Sequence, residues 1–441
     1  MGELDSSMRE RPNTGAEDTM ERRNPRASKS RKGTKRKVHS LIDKVFSRKN
    51  LELAWEKVKQ NRGSAGIDEV TIVEFEKCAD HYLDLLHGRL REGTYRPKAV
   101  KRVEIPKPDG GIRKLGIPAV MDRVCQQALV QRMEPIFEPG FVDCSFGYRK
   151  GRSPHDAMRK VWRELSVGNF WILDADLRQF FDTIDQEKLI GLIAEKISDG
   201  RVLQLVRDML RSGVMEGRYW RPTLTGVPQG GVASPLWSNI FLTPFDRAMT
   251  KAGFRLTRWA DDFVVVCRTK KEAEQALAFA ERFLREELGV QLNAQKTRVV
   301  HISHGFEFLG YKVKKGRGYK LSAQKRRTKA NPYNLYAVPR EKSVKSFKGQ
   351  IRNLTRRKTP ITLQELVDRI NPVIRGWGNF YRKAHVRLLF NRLDRWIERR
   401  IHSFLAKRWR NAMWRKYPAV RLIGKYGLVR LTHLIPGLVQ R

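Results

Sequence analysis

Arg258-Trp259-Ala260-Asp261-Asp262-Phe263-Val264-Val265-Val266-Cys267 sets two adjacent carboxylates between two strand-like runs. Residues 255–259 lead in with Leu256, Thr257 and Trp259. Residues 263–267 lead out as an apolar, largely β-branched run, the pattern of a buried strand. Two Asp residues in so apolar a stretch are costly to bury unless their charge is cancelled. A hard divalent cation with oxygen ligands cancels it. A hairpin turn, which Asp also favours, is the other reading, and these ten residues alone do not separate the two.

A second acidic stretch lies upstream. Phe170-Trp171-Ile172-Leu173 reads as a strand that ends in Asp174-Ala175-Asp176. One residue separates the two acids, so in a strand both project to one face. If the two strands are sheet neighbours, three carboxylates converge at one end. That suits two divalent ions holding a triphosphate and an attacking hydroxyl.

The charge names a class of partner. The chain of 441 residues carries 89 Lys+Arg against 47 Asp+Glu, a net +42. From Lys312 onward there are 35 Lys+Arg and 5 Asp+Glu, a net +30. Such an excess implies a polyanion. Aromatic residues are interleaved with the cations on regular helices, which favours nucleic acid over a membrane surface. No apolar run reaches the length of a membrane span, and the N-terminus has no apolar signal core. Cys78, Cys125, Cys144 and Cys267 show no C-x-x-C spacing. The expectation is no structural zinc, four buried and chemically idle thiols, and a reducing, cytoplasmic location.

Periodicity and punctuation give an α+β order. Residues 1–37 read as a disordered tail whose end, 22–37, holds nine basic residues and no acid. Helices are expected at 39–60, 120–137, 186–197, 201–211, 234–251 and 270–288. Thr71-Ile72-Val73-Glu74 is a capping box for a helix to about 91, and Ser153-Pro154-His155-Asp156 opens another. Strands are expected at 100–105, 111–117, 169–176, 299–302 and 306–313, with a hairpin at 214–222. These predict a sheet with helices on one side. A basic, Pro-punctuated connector at 316–340 precedes helices at 343–356, 363–381 and 388–408.

Several motifs now stand in order. Asp176-Leu177-Arg178-Gln179-Phe180-Phe181-Asp182, Val227-Pro228-Gln229-Gly230-Gly231-Val232-Ala233-Ser234-Pro235, Trp259-Ala260-Asp261-Asp262 and Phe308-Leu309-Gly310 follow the sequence seen in reverse transcriptases. Ile105-Pro106-Lys107-Pro108-Asp109-Gly110 resembles their fingers motif, and residues 61–68 the segment before it. Ile370-Asn371-Pro372 through Gly376-Trp377-Gly378-Asn379-Phe380-Tyr381-Arg382 looks like a maturase-specific region. The chain therefore resembles group II intron-encoded reverse transcriptases over roughly residues 50–410. The short Cys-free end matches the endonuclease-lacking type.

The resemblance implies a right-hand polymerase. Fingers would occupy 38–168, a palm 169–315, a helical thumb or maturase domain 341–412, and a short nucleic-acid-binding segment 413–441. Asp176, Asp261 and Asp262, with the Leu177 carbonyl, would hold two Mg2+ ions, or Mn2+ in their place. Asp174 is the poorer match to the family's metal ligand. Lys107, Arg113, Phe181, Gln229 and Lys296 would meet the incoming dNTP. Phe181 would exclude a 2′-OH, with Phe180 competing for that role. Lys296 would protonate the leaving pyrophosphate; an exposed Lys after a turn is the other reading. Trp259, Phe308, Leu309 and Gly310 would hold primer and template, and Trp259 stands where the family usually has Tyr. Arg375, Trp377, Arg382, Arg392 and Arg399 would bind RNA. The implied activity is copying an RNA template from a DNA or RNA primer, with binding of group II intron RNA and target DNA to assist splicing and mobility. A maturase with little polymerase activity, and a domesticated or defence-associated enzyme without an intron, remain alternatives.

Overall fold

The computed structural model describes residues 37–106, 111–316, 333–356, 359–406 and 412–436. The basic tail, Lys107 and most of the connector lie outside them. The N-terminal layer is helical. A short α1 (Ile42–Phe46) breaks at Ser47 before α2 (Arg48–Gln60). Thr71 accepts from Glu74 N while Glu74 Oε2 accepts from Thr71 N at 2.8 Å, the capping box expected from sequence. It starts α3 (Ile72–Lys77), and α4 (Ala79–Glu92) follows after a break at Cys78. β1 (Val100–Pro106) and β2 (Ile112–Ile117) form an antiparallel ribbon, and α5 (Val120–Phe137) follows. Asp156 accepts from Ser153 N at 2.8 Å to open α6 (Pro154–Ser166).

The central sheet comes next. β3 (Trp171–Asp176) leads into α7 (Phe180–Thr183), α8 (Gln186–Ala194) and α9 (Gly200–Arg211). A tight hairpin, β4 (Val214–Glu216) and β5 (Tyr219–Arg221), joins the ribbon through β1. Then come α10 (Ser234–Lys251), β6 (Leu256–Trp259), β7 (Asp262–Cys267) and α11 (Lys270–Phe283), which ends in a wider turn, Leu284–Leu288. β8 (Arg298–His301) completes a four-stranded sheet in the order β6-β7-β3-β8.

This sheet is covered on both faces, not one. Leu173, Ala175, Phe263 and Val265 pack with α10 and α11. Ile172, Val264 and Val266 pack with Val161 and Leu165 of α6 and with the C-terminal layer. The reason lies in β7, whose inner residues are apolar at every position, so neither face tolerates water.

The stretch expected as one strand, 306–313, is a hairpin. β9 (Phe306–Phe308) and β10 (Tyr311–Lys315) pair across Leu309 and Gly310, both at positive φ (49° and 82°). Two such residues make the turn that matches strand twist. β11 (Leu335–Pro339) pairs with β10. The helical layer holds α12 (Glu341–Leu354), α13 (Leu363–Tyr381) and α14 (Arg387–Ala406). α15 (Ala412–Lys416), α16 (Ala419–Gly424) and a 3-10 turn (Leu431–Leu434) follow. Cys78 is exposed, against the expectation of four buried thiols; the other three are buried and all four are free.

Candidate active site

β3 and β7 are hydrogen-bonded neighbours, and Asp176 stands directly opposite Asp262. Alternation puts Asp174, Asp176 and Asp262 on the face of Ile172 and Val264. Ala260 and Asp261 form the two-residue turn between β6 and β7, with Ala260 at φ 56°. Leu177 N donates to Asp261 O at 3.2 Å, which ties the turn to the end of β3. The hairpin and the acid cluster, open alternatives at the level of sequence, are one object.

The carboxylates repel one another. Removal from water, then the charges of Asp174, Asp176 and Asp261, push Asp262 up to about 8. Burial and the Asp176 charge also raise Asp261. Two cations lean on the cluster. Arg298 donates from Nε (3.0 Å) and Nη2 (2.9 Å) to one oxygen of Asp174. Lys296 Nζ lies 2.6 Å from Asp176 Oδ2, and that bond raises the ammonium's pKa. Lys296 gets there because Asn293 N donates to Asp176 O (2.8 Å) and Lys296 N to Asn293 O (3.0 Å), so the whole turn hangs on β3. Asp174 is thereby committed to Arg298.

The loop at 226–231 is fixed from three sides. Val227 N donates to Phe181 O at 2.7 Å, and Gly116 N of β2 donates to Gln229 O at 2.7 Å. Gln126 of α5 accepts from Val232 N at 2.8 Å. A Cβ at Gly230 would lie 2.8 Å from Gly116 O, and its φ of 112° suits glycine alone. Gln229 is therefore held between the ribbon and α7. Phe180 is 2% exposed and faces Phe241 in the core, whereas Phe181 is half-buried. Arg113 is exposed on β2 opposite Ile105.

The primer-side expectations fall on two elements. Trp259, half-buried, pairs with Asp262 across the hairpin. The Leu309–Gly310 turn abuts α13: Tyr381 donates to Gly310 O at 3.1 Å, and Tyr311 donates to Phe380 O at 2.6 Å. Arg375, Arg382, Arg392 and Arg399 are exposed on α13, α14 and the turn between them. Trp377 instead stacks on Phe347 (ring centroids 4.5 Å apart) and donates to Ser343 Oγ at 3.1 Å, inside the helical layer.

Sequence reasoning missed the residues behind the turn. A Cβ at Gly147 would lie 2.5 Å from Ala260 N, so this segment packs backbone to backbone on the hairpin. Next to it, Tyr148 adopts φ 60°, and its phenol is raised by burial and then by the Asp261 charge. Arg258 is wholly buried with Asp246. An Arg inside an otherwise apolar strand was the signal available, since a buried guanidinium demands a partner.

Comparison with known proteins places the chain in a family. Residues 105–313 match the reverse transcriptase (RNA-dependent DNA polymerase) family, and residues 344–420 match the group II intron maturase-specific domain. Protein YkfC of Escherichia coli is 32% identical over 286 residues, 56% of this chain and 75% of that protein. The group II intron-encoded protein LtrA of Lactococcus lactis is 27% identical over 383 residues, 69% of this chain and 63% of LtrA. Among solved structures, a chain of a partial Cas6-RT-Cas1–Cas2 complex is 21% identical with a TM-score of 0.36, covering 56% of this chain and 43% of that one. The chain belongs to the group II intron-encoded reverse transcriptases, RNA-directed DNA polymerases that carry a maturase-specific domain.

Proposed function

We propose that this chain extends a primer on an RNA template by two-metal nucleotidyl transfer at Asp176, Asp261 and Asp262, and that its helical layer binds group II intron RNA to assist splicing. The observation that carries the first part is the register of Asp176 against Asp262 with Asp261 in the adjoining turn. Among the described residues, no three His, Cys, Asp or Glu side chains form a ready-made ion cage. The donor chemistry nevertheless fits hard cations: all donors are oxygens, and their mutual repulsion is what a divalent ion relieves. Asp176, Asp261 and Asp262, brought together by the β3–β7 register and the adjoining turn, would hold the ions with the Leu177 carbonyl.

Bound Mg2+ would supply charge neutralisation and a lowered pKa for the attacking hydroxyl. The chain's own residues do the rest. Arg113 on β2 binds the triphosphate, and Lys107, outside the described residues, is proposed as the second cation. Gln229 and Phe181 would flank the sugar, and the half-buried ring of Phe181 is the proposed barrier to a 2′-OH. Lys296, its proton held firmly, stands ready to give it to the departing pyrophosphate. Trp259 and the Leu309–Gly310 turn orient the primer.

The exposed Arg375, Arg382, Arg392 and Arg399 support RNA binding through phosphate contacts and counterion release. The test is primer extension by Asp261→Asn/Asp262→Asn beside intron-RNA binding by the same variant. Extension is expected to vanish while RNA binding persists with its salt dependence. Full extension in that variant refutes the site; loss of both activities refutes their separation.

A further inference from the structure

Behind the catalytic turn lies a buried polar network centred on Arg258. The guanidinium is 1% exposed and Asp246 0%. Arg258 Nε donates to Asp246 Oδ1 (2.7 Å) and Nη2 to Asp246 Oδ2 (2.5 Å). Nη2 also donates to Ser145 Oγ (2.8 Å), and Nη1 to Asn239 Oδ1 (3.2 Å). The remaining bond, from Nη1, goes to the carbonyl of Ala260 at 2.9 Å. All five N–H donors of the fork are used. Asn239 in turn donates to Gly147 O at 2.9 Å, beneath the turn. Phe146 N donates to Arg258 O (2.9 Å) and Arg258 N to Cys144 O (2.8 Å).

The network thus joins three pieces of chain. Asn239 and Asp246 lie on α10, which begins just after the Gln229 loop. Ser145 and Gly147 lie on the segment packed against the hairpin. Arg258 and Ala260 are the hairpin itself. Stability alone is a weak reason for such an arrangement, because apolar residues of the same volume often replace a buried ion pair at no cost. Ala260 supplies the stronger reason. Its positive φ costs an alanine roughly 1–2 kcal/mol, and such a conformation persists only where its surroundings over-determine it. Here its carbonyl is gripped by Arg258 and its amide is walled by Gly147.

We propose that Arg258, clamped by Asp246, Asn239 and Ser145, is a positioning residue that holds the Ala260–Asp261 turn in the conformation presenting Asp261 to the catalytic cations. This rests on the reading of Asp261 and Asp262 as metal ligands. The network acts as the outer shell of that site, where loss of a partner typically costs roughly 10–100-fold in metal affinity or activity.

The experiment compares Arg258→Lys, Ser145→Ala and Asp261→Asn/Asp262→Asn with the parent chain. Lysine keeps the charge beside Asp246 but cannot also reach the Ala260 carbonyl. Mn2+ binding to the enzyme with template–primer and no dNTP is read by electron paramagnetic resonance. Single-turnover extension and thermal melting are measured beside it. The expected result for folded Arg258→Lys is roughly tenfold or greater weakening of Mn2+ binding, with a matching fall in kcat and little change in the dNTP KM. Ser145→Ala, which removes one bond, is expected to shift Mn2+ binding about threefold. It carries the test alone if Arg258→Lys does not fold. Unchanged Mn2+ affinity in folded Arg258→Lys, or in Ser145→Ala when it stands alone, overturns the proposal even if melting falls. Retained Mn2+ binding and extension in Asp261→Asn/Asp262→Asn instead overturns the metal reading on which it rests.

Discussion

Replacing Asp394 by alanine is expected to release the C-terminal end of the helical layer without unfolding the rest. Asp394 sits on α14, 2% exposed, and accepts from Leu431 N (2.8 Å), Thr432 N (3.1 Å) and Thr432 Oγ1 (2.8 Å). Arg430 lies 3.8 Å from it and 3.4 Å from Glu398. The 3-10 turn so held drops Leu431 and Leu434 onto Gly378 of α13, where a Cβ would lie 2.4 Å from Leu434 Cδ1. Alanine strands two amide donors at about 1–2 kcal/mol each and loses a hydroxyl bond worth about 1 kcal/mol. Arg430 keeps Glu398, so no charge is left without a partner. The sum is roughly 3–5 kcal/mol, which multiplies local opening by about a hundredfold or more. Hydrogen exchange of peptides spanning 428–436 reads this directly. Asp394→Asn keeps one acceptor and is expected to fall between. Exchange in Asp394→Ala within about threefold of the parent (under 1 kcal/mol) would refute the latch.

Gly147→Ala forces a Cβ to 2.5 Å from Ala260 N and 3.1 Å from Trp259 C, both backbone atoms. Single-turnover extension is expected to fall by about a hundredfold in protein that still melts cooperatively; parental extension would show that the hairpin yields. Phe181→Val is expected to raise ribonucleotide incorporation relative to dNTP, whereas Phe180→Val is expected to lower stability by about 1–3 kcal/mol without changing sugar choice; the reverse pattern assigns the roles the other way. Asp122, buried in α5 beside Tyr95, is raised by burial from 3.8 to about 6. The folded chain therefore holds a proton that the unfolded chain has lost between those values, and stability falls as pH rises through that window, by up to about 3 kcal/mol. Urea midpoints at pH 4 and pH 7 are expected to show this fall, and Asp122→Asn to flatten it; equal slopes in the two proteins refute the assignment.

Local signals were the legible part of the fold. Thr71–Glu74 and Ser153–Asp156 each state a helix start within four residues, and both boundaries are observed. α5 ends at Phe137 and α10 at Lys251, as periodicity predicts. What sequence could not show was set by packing. The run 306–313 keeps a strand-like alternation of apolar and charged residues on both sides of Leu309-Gly310, and the positive φ of those two residues reveals the turn. The second cover of the sheet is supplied largely by α6 and by residues beyond 300, and no local pattern ties them to β7. At the site, the acid pairs Asp174/Asp176 and Asp261-Asp262 were readable because i, i+2 spacing and adjacency are local facts, while the preference for Asp176 came from the family resemblance. Asp246, Asn239 and Ser145 were not, because each is ordinary in its own segment and meets Arg258 only in three dimensions.

A chain with a net charge of +42 has to keep its few working carboxylates from being neutralised by its own lysines and arginines. The structure meets this by rationing. Arg298 is spent on Asp174, which is not among the proposed metal ligands, and it approaches from β8 in the register Asp174↔Arg298. Arg258 points away from the acids into the core, where Asp246 absorbs its charge. Among the described residues, Lys296 is the cation paired with a proposed ligand, and its side chain is more than half-exposed. The distant helical cations are screened over about 8 Å at physiological salt, so they draw in a polyanion without cancelling the cluster. The carboxylates of Asp176, Asp261 and Asp262 are therefore left facing one another, and burial first, then this proximity, raises Asp262. The repulsion at such a site is relieved by protons or by cations, and on the two-metal reading proposed above it is cations that leave the carboxylates ionised.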